Sequence, residues 1–263
     1  MNVHANGIDL HYVVEGSGPW LVMSHALACD HRMWDAQTAW LAQRFTVLRF
    51  DTRGHGRSSA SPGPYSFDLL AADVAALVDA LHIERAHWVG LSLGGMIGQA
   101  FALAHPQRIS SLVLADTSSR YPPGVEAVWA ERIRTVRENG MSAIVDATLE
   151  RWFTAPYRQA HANVMQRIGD MIRATPVDGY AGCGQAIATL DFTDRLQALQ
   201  CPTLVIVGDQ DTGTPLGMAR EIHDAIRDAE LVIIPSAAHL SNIEQTNAFN
   251  QALDRFYDRV TVT

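Results

Sequence analysis

The chain has 263 residues, of which 48% are hydrophobic and 18% are charged, so it can bury a core and does not have the composition of a disordered segment. Its formal charge of −8 disfavours nucleic acid and anionic membranes as partners, but does not exclude an anionic substrate in a locally basic pocket. Cys29, Cys183 and Cys201 form no CxxC pair, which indicates buried thiols in a reducing compartment. With no secretory signal and no bilayer-spanning apolar run, we expect a cytoplasmic protein without a membrane partner.

The first part of the chain alternates between short apolar runs and amphipathic segments. An Asn-Gly pair at positions 6 and 7 separates two extended runs, which predicts a hairpin. Strands are expected at residues 1–5, 8–15, 20–24, 45–51, 86–91 and 109–115. Helices are expected at residues 35–44, 67–81 and 94–104. This alternation predicts βαβ units and a mostly parallel sheet.

The alternation stops after residue 116 and resumes near residue 202. The intervening block has helical patterns but no convincing strand, with helices expected at residues 125–139, 141–152 and 160–174. Beyond it, strands are expected at 202–207 and 231–234, and helices at 218–226 and 247–260. We therefore predict a core domain of residues 1–117 and 192–263 with a helical cap, 118–191, inserted into it. Such insertions leave from the carboxyl ends of strands, where ligands bind.

The run Gly-Leu-Ser-Leu-Gly at residues 90–94 is the strongest motif in the chain. The motif alone is weak, but here it follows a predicted strand, 86–89, and directly precedes a predicted helix. This is the setting of a nucleophile elbow, whose sharp turn requires small residues beside the serine. The start of the helix also points backbone N–H groups at developing negative charge. We predict that Ser92 is the nucleophile of a hydrolase.

A serine hydroxyl needs a base to take its proton, and the base needs an acid to orient it. With a nucleophile elbow, the expected chain order is serine, acid, histidine. Of the eleven histidines, His239 follows the last predicted strand, and we predict it as the base. The acid should follow strand 202–207, where Asp211 lies deeper in the loop than Asp209, which is more typical of a turn. Asp116, at the end of the preceding strand, remains a rival to Asp211.

Two backbone N–H groups are needed to stabilise the oxyanion of an acyl-transfer reaction. We predict those of Leu93, directly after the nucleophile, and Leu27, in the loop after strand 20–24. The polar turn at residues 51–58 is expected to brace the loops around the site. The sequence has no His-Glu-x-x-His, no Cys/His pair at ligand spacing and no glycine-rich nucleotide loop, so we predict no metal and no cofactor.

These motifs together resemble the α/β-hydrolase superfamily over essentially the full chain. The similarity lies in Asp51-x-Arg53-Gly54-His55-Gly56-x-Ser58, in Gly-Leu-Ser-Leu-Gly-Gly and in Gly208-x-x-Asp211-x-x-Thr214-Pro215. Within the superfamily the chain is most similar to 3-oxoadipate enol-lactonases. The more specific segments are Arg-Trp-Phe-Thr at 151–154 and Ser-Asn-Ile-Glu at 241–244. The resemblance implies an eight-stranded, mostly parallel sheet flanked by helices, and cofactor-free hydrolysis of a lactone in aromatic catabolism.

The sequence departs from that family at three places. Ser-His-Ala-Leu-Ala at residues 24–28 stands where the family usually has Ser-Asn-Ser-Leu-Gly, so the floor of the pocket is expected to differ. Leu93 stands where the family usually has Met, and Asp116 where it usually has Asn. These changes bear on which lactone is bound and leave the hydrolysis itself intact.

An enol-lactone with a free carboxylate requires a cation near the cap. Arg120 and Arg151 are the candidates, and Trp152 and Trp129 are candidates for an apolar pocket wall, although ordinary surface or core roles remain open for all four. The predicted partner is a small-molecule ester or lactone, and the sequence does not indicate whether the chain self-associates.

Two other functions remain open. One is a general carboxylesterase or arylesterase, with perhydrolase side activity, since the same triad would serve. The other is a catalytically silent ligand-binding protein on the same scaffold. A dehalogenase is disfavoured because it needs a carboxylate at position 92.

Overall fold

The computed structural model describes residues 1–260. Its strands are β1 (Asn2–Ala5), β2 (Ile8–Glu15), β3 (Trp20–Ser24), β4 (Thr46–Phe50), β5 (Ala86–Leu91), β6 (Ile109–Ala115), β7 (Thr203–Gly208) and β8 (Glu230–Ile234). The helices are α1 (Asp35–Leu41), α2 (Phe67–Ala80), α3 (Leu93–Ala104), α4 (Val125–Asn139), α5 (Val145–Trp152), α6 (Ala155–Ala160), α7 (Ala162–Ala174), α8 (Val177–Ala188), α9 (Leu216–Ala225), α10 (Ser241–Glu244) and α11 (Thr246–Val260). Short 3-10 helices cover His31–Trp34, Pro106–Arg108, Met141–Ile144 and Thr193–Ala198.

The strands form one sheet in the order β1-β2-β4-β3-β5-β6-β7-β8. The β1/β2 and β2/β4 pairs are antiparallel, and every later pair is parallel. This confirms the predicted mostly parallel, eight-stranded sheet of the α/β-hydrolase fold. The parallel strands are covered on both faces, which explains why β5 and β7 are buried at every position and mostly apolar instead of alternating.

The parallel arrangement places the carboxyl ends of β3, β5, β6 and β7 at one edge of the sheet. The segments that follow these strands hold the loop at residues 25–30, the turn at Ser92, Asp116 and the loop at residues 209–215. Sequence-distant polar side chains therefore converge at this edge, as expected for the ligand-binding side of an open α/β sheet.

Helices α4 to α8 all lie between β6 and β7, and the two ends of this segment meet. The N–H of Phe192 donates to the carbonyl of Ser119 at 2.7 Å, and Arg120 forms a β-bridge with Asp191. The predicted helix at 141–152 begins with a 3-10 turn, and the one at 160–174 is observed as α7, which begins at Ala162. The short helix α6, directly before it, was not predicted. Helix α8 was not expected, because three glycines lower its intrinsic helix propensity. The division into a core domain and a cap domain stays a prediction.

The polar turn after β4 is held by buried charges. The guanidinium of Arg53 donates from Nε to Asp73 at 2.8 Å, and the N–H of Arg57 donates to Asp51 at 2.8 Å. These bonds join the turn to α2 and to the end of β4. None of the helices within residues 1–260 is long and apolar enough to cross a membrane.

Candidate active site

Ser92 lies in the turn between β5 and α3, with φ 55° and ψ −116°. A positive φ is strained for a residue with a side chain, and such strain is typical of functional turns. The turn is tolerated because its neighbours are small: a Cβ on Gly90 would collide with the backbone of Gly94, and a Cβ on Gly94 would collide with the carbonyl of Ser24. These small neighbours allow the sharp turn that places Ser92 at the carboxyl end of β5.

His239 and Asp211 form a buried hydrogen-bonded pair. The Nδ1 of His239 lies 2.8 Å from Oδ2 of Asp211, and their side chains are 7% and 0% exposed. Thr214 Oγ1 donates to Oδ2 at 2.7 Å, and the N–H groups of Gly213 and Thr214 donate to Oδ1 at 2.7 and 3.1 Å. Because these donors hold the carboxylate in place, it fixes the orientation of the imidazole.

Asp116, the rival acid, has other partners. Its Oδ1 accepts the N–H of Gly208 at 2.8 Å, and its Oδ2 accepts the hydroxyl of Ser241. Asp209 accepts the N–H of Ala237 at 3.3 Å, in a bond that ties two loops together. Neither carboxylate contacts His239, so the geometry favours Asp211.

The pKa values of this cluster separate the two buried acids. Burial, followed by the charge of Asp211, raises the pKa of Asp116 well above its ordinary value. Burial also acts to raise the pKa of Asp211, but the adjacent His239 and Thr214 outweigh it and bring the pKa below its ordinary value. Burial acts to lower the pKa of His239, but Asp211 outweighs it and raises that pKa above 6.5. Of the two buried acids, Asp211 is therefore the one whose negative charge is favoured beside His239.

The oxyanion donors predicted at Leu93 and Leu27 flank Ser92. Leu93 is the first residue of α3, so its N–H is among those without an intrahelical acceptor. The carbonyl of Ala26 faces the other way from the N–H of Leu27 across their trans peptide bond, and it is held by His25 Nδ1 at 2.8 Å and the N–H of Cys29 at 3.1 Å. Leu27 lines the same cavity as Ser92.

A cavity of about 170 Å³ contains both Ser92 and His239 in its lining. Three of the four predicted substrate contacts, Trp129, Trp152 and Arg151, also line it. The ring of Trp152 lies over His239, with ring centroids 6.1 Å apart. The inserted helices thus supply walls to a cavity whose floor comes from the sheet.

Two arginines lie in the cavity lining, Arg132 from α4 and Arg151 from α5. Arg151 donates to Thr148 Oγ1 at 3.2 Å, and the Cζ of Arg132 lies 4.9 Å from the ring centroid of Trp129. Within residues 1–260 neither guanidinium has a carboxylate within 4.0 Å. Burial and the nearby charge of Arg132 lower the pKa of Arg151. The cavity therefore holds two cations that lack a counter-ion.

Arg120, the other predicted cation, does not line this cavity. Its guanidinium pairs with Asp194 at 2.6 Å and lies 3.6 Å from Asp191, where the inserted segment returns to the sheet. These carboxylates already balance the charge of Arg120, so its prediction as a substrate-binding cation was wrong. Arg132, together with Arg151, supplies the positive charge of the cavity instead.

Sequence reasoning missed Arg132, Tyr121, Tyr180 and Thr148 in the lining. One signal for Arg132 was present: it follows Trp129 by three positions on a predicted helix, so the two side chains share a face. The aromatic residues carry no comparable signal, because their neighbours come from different helices.

A family model for the alpha/beta hydrolase fold matches residues 19–246. The chain belongs to the α/β-hydrolase family. Of curated proteins, it is 34% identical to 3-oxoadipate enol-lactonase 2 of Acinetobacter baylyi, over 97% of this chain and 95% of that protein.

Two solved structures are also similar along their whole length. The enol-lactonase from Burkholderia xenovorans has a TM-score of 0.94 and 39% identity, covering 98% of this chain and 100% of that one. A thermophilic esterase from Thermogutta terrifontis, with malate bound, has a TM-score of 0.93 and 30% identity, covering 99% and 98%. The match to whole relatives extends through the inserted helices.

Proposed function

We propose that this protein hydrolyses the ester bond of a lactone that carries a free carboxylate, as an enol-lactonase of the 3-oxoadipate type. The observation that carries the proposal is the pair Arg132 and Arg151, which lack a carboxylate partner and line the cavity that contains Ser92 and His239. A partly buried cation without a counter-ion is costly, and a substrate carboxylate would relieve that cost. The named lactonases among the relatives support the same reaction class.

In this mechanism Ser92 Oγ attacks the lactone carbonyl while Nε2 of His239 accepts the hydroxyl proton. Asp211, bonded to Nδ1, holds the ring and balances the imidazolium. The oxyanion forms between the N–H groups of Leu27 and Leu93, which stabilise it more than the ground-state carbonyl.

Collapse of the tetrahedral intermediate breaks the ring C–O bond. His239 returns its proton to the leaving oxygen, which in an enol-lactone becomes an enol and stays attached to the acyl chain. The enol tautomerises to a ketone. Water, with its proton taken by His239, then hydrolyses the ester to Ser92 and releases an open-chain oxo acid. No oxidant or cofactor enters the balance.

The test compares a carboxylate-bearing enol-lactone with a neutral ester such as p-nitrophenyl acetate. Arg132→Gln and Arg151→Gln each remove one charge-assisted hydrogen bond, so we expect kcat/KM for the lactone to fall by about 10–100-fold. Turnover of the neutral ester should change by less than about threefold.

Arg134→Gln is the matched control. Arg134 lies on the same helix as Arg132, but it is exposed and pairs with Glu131 at 2.7 Å. Equal losses on both substrates in the Arg132 and Arg151 variants would contradict the carboxylate role. Fast ester turnover with no lactone turnover in the wild type would contradict the lactonase itself.

A general carboxylesterase is the second candidate, and the apolar part of the wall favours it. Met96, Val125, Val128 and Ile187 offer an acyl chain a hydrophobic surface. The same two-substrate comparison separates the candidates, because an esterase would prefer the neutral ester and tolerate both arginine substitutions.

A further inference from the structure

Two histidines and one aspartate lie close together outside the cavity, near the edge of the sheet formed by the N-terminal strands. His11 lies in β2, His31 begins the 3-10 helix His31–Trp34, and Asp51 directly follows β4. One nitrogen of each imidazole and one oxygen of the carboxylate all lie within 4.8 Å of one another. The rings of His11 and His31 have centroids 5.3 Å apart.

We infer that His11, His31 and Asp51 form a binding site for a divalent transition-metal ion of the Zn²⁺ type. Two imidazole nitrogens and one carboxylate oxygen are a donor set that suits Zn²⁺, Co²⁺ or Ni²⁺ better than Mg²⁺ or Ca²⁺, which prefer oxygen ligands. A water molecule would complete a tetrahedral shell, since the side chain of His31 is 13% exposed.

The groups around these three residues orient them as an outer shell does at a metal site. His11 Nδ1 lies 2.8 Å from Asn2 Oδ1, so a neutral His11 that donates this bond presents the lone pair of Nε2. The carboxylate of Asp51 is held by two backbone donors, the N–H groups of His31 and Arg57, each at 2.8 Å. Both oxygens are therefore fixed independently of the imidazole of His31.

Metal binding requires a small rearrangement. His31 Nδ1 lies 2.7 Å from Asp51 Oδ1, which is a hydrogen bond. Two ligands of a tetrahedral zinc ion lie about 3.3 Å apart, given zinc–ligand bonds of about 2.0–2.1 Å. On binding, His31 would coordinate through Nδ1 as the neutral tautomer that carries its proton on Nε2, so the proton of this bond passes from Nδ1 to Nε2 through solvent. Rotation of His31 and approach of His11, whose ligand atoms start within 4.8 Å of the carboxylate, would then close the site.

The inferred metal site is separate from the proposed catalytic site, because none of its three residues lines the cavity. It joins β2, β4 and the segment that follows the loop of Leu27, so a bound ion would stabilise the folded state by mass action. Sequence patterns do not indicate this site, because successive ligands lie twenty positions apart along the chain and match no ligand-spacing motif.

The test is equilibrium dialysis of metal-free protein against buffered ZnCl₂, with bound zinc measured per chain. We expect one tightly held zinc ion per chain in the wild type. His11→Ala and His31→Ala should weaken its affinity by at least about tenfold. Zinc-edge X-ray absorption of the wild-type complex should show two imidazole ligands, a readout that does not depend on whether either variant folds.

His4→Ala is the matched control, because His4 is a neighbouring histidine whose side chain is 72% exposed and which pairs with Asp9. It should keep full zinc uptake, and ester hydrolysis should persist in all three variants. Absence of zinc uptake by the wild type, equal uptake by His11→Ala, or an absorption spectrum without imidazole ligands would each overturn the inference.

Discussion

The charge balance between His239 and Asp211 determines how the proposed activity depends on pH. The base must be neutral, and Asp211 raises the pKa of His239 above 6.5. Activity should therefore be lost as pH falls through that raised pKa. In Asp211→Asn the carboxylate is gone, so the acid limb of kcat/KM should move to lower pH, and kcat should fall by about 10⁴-fold. The pH profile of p-nitrophenyl acetate hydrolysis measures both.

Asp209→Asn is the control for this change, because Asp209 lies in the same loop and an asparagine keeps the oxygen that accepts from Ala237. Its profile should match that of the wild type. A wild-type acid limb well below pH 6.5 would contradict the raised pKa, and so would an unshifted limb in Asp211→Asn.

Asp116 and Asp211 were both candidates for the acid that orients His239, and only the structure distinguishes them. Both residues follow strands of the parallel sheet, and their positions alone leave the choice open. Their hydrogen bonds separate them, since Asp211 lies against His239 while Asp116 binds Gly208 and Ser241. These hydrogen-bond partners depend on how three loops pack against one another, and local sequence patterns do not predict that packing.

At the scale of elements, the turn between β5 and α3 has no room for a side chain. A Cβ on Gly94 would overlap the carbonyl of Ser24 in β3. Gly94→Ala should therefore lower the free energy of unfolding by about 1–3 kcal/mol and reduce activity, because the backbone must shift beside Ser92. Urea unfolding followed by circular dichroism gives the stability, and p-nitrophenyl acetate turnover gives the activity.

Gly217→Ala is the matched control within helix α9. A Cβ there meets nothing within 4 Å, so alanine should be neutral or stabilise the fold by up to about 1 kcal/mol. If Gly94→Ala were as stable and active as the wild type, the close approach of β3 and α3 would not matter to the site.

Glu244 links the inserted helices to the segment that carries His239. Its carboxylate accepts the N–H of Ala238 at 2.9 Å, the N–H of Thr154 at 3.0 Å and the hydroxyl of Thr154. In Glu244→Gln an amide donor would face one of these donors. We expect the free energy of unfolding to fall by about 1.5–3 kcal/mol and kcat to fall with it.

Glu138→Gln, on the exposed surface of α4, is the control for the loss of a carboxylate. It should leave the urea midpoint and kcat unchanged. A Glu244→Gln variant with wild-type stability would show that the bonds of this carboxylate do not contribute to holding the inserted helices.

For the whole molecule, the sheet could be predicted closely because its strands are short apolar runs with clear breaks. The predicted bounds of β2, β3, β5 and β6 agree with the structure. The inserted helices were harder, since a helix of only six residues, such as α6, is too short to show a helical period, although the predicted run 160–174 agrees with α7. Helix α8 was not predicted because of its glycines. It is stabilised by packing against α4 and the core.

In the candidate site, too, some residues could be predicted from the sequence and others could not. Ser92, Asp211 and His239 could be named because each follows a particular strand in the order that the fold requires. The cations could not, because side chains of the inserted helices reach the cavity through tertiary packing. Arg120 stands close to the site in sequence but is paired where the two ends of the inserted segment meet.

The formal charge of −8 and the two cavity arginines illustrate that net charge says little about a local site. Screening limits surface charges to within about 10 Å at ordinary salt, so Arg132 and Arg151 act on a bound substrate while most acids do not. The molecule as a whole can be acidic and still favour an anionic substrate.

The assignment of Ser92 as the nucleophile is tested most directly by reaction with a fluorophosphonate and intact-protein mass spectrometry. We expect one covalent adduct per chain, located at Ser92 by peptide mapping and absent in Ser92→Ala, which should also lose at least about 10⁴-fold in kcat. Folded wild-type protein without an adduct, or an adduct that persists in Ser92→Ala, would contradict the proposed hydrolase mechanism.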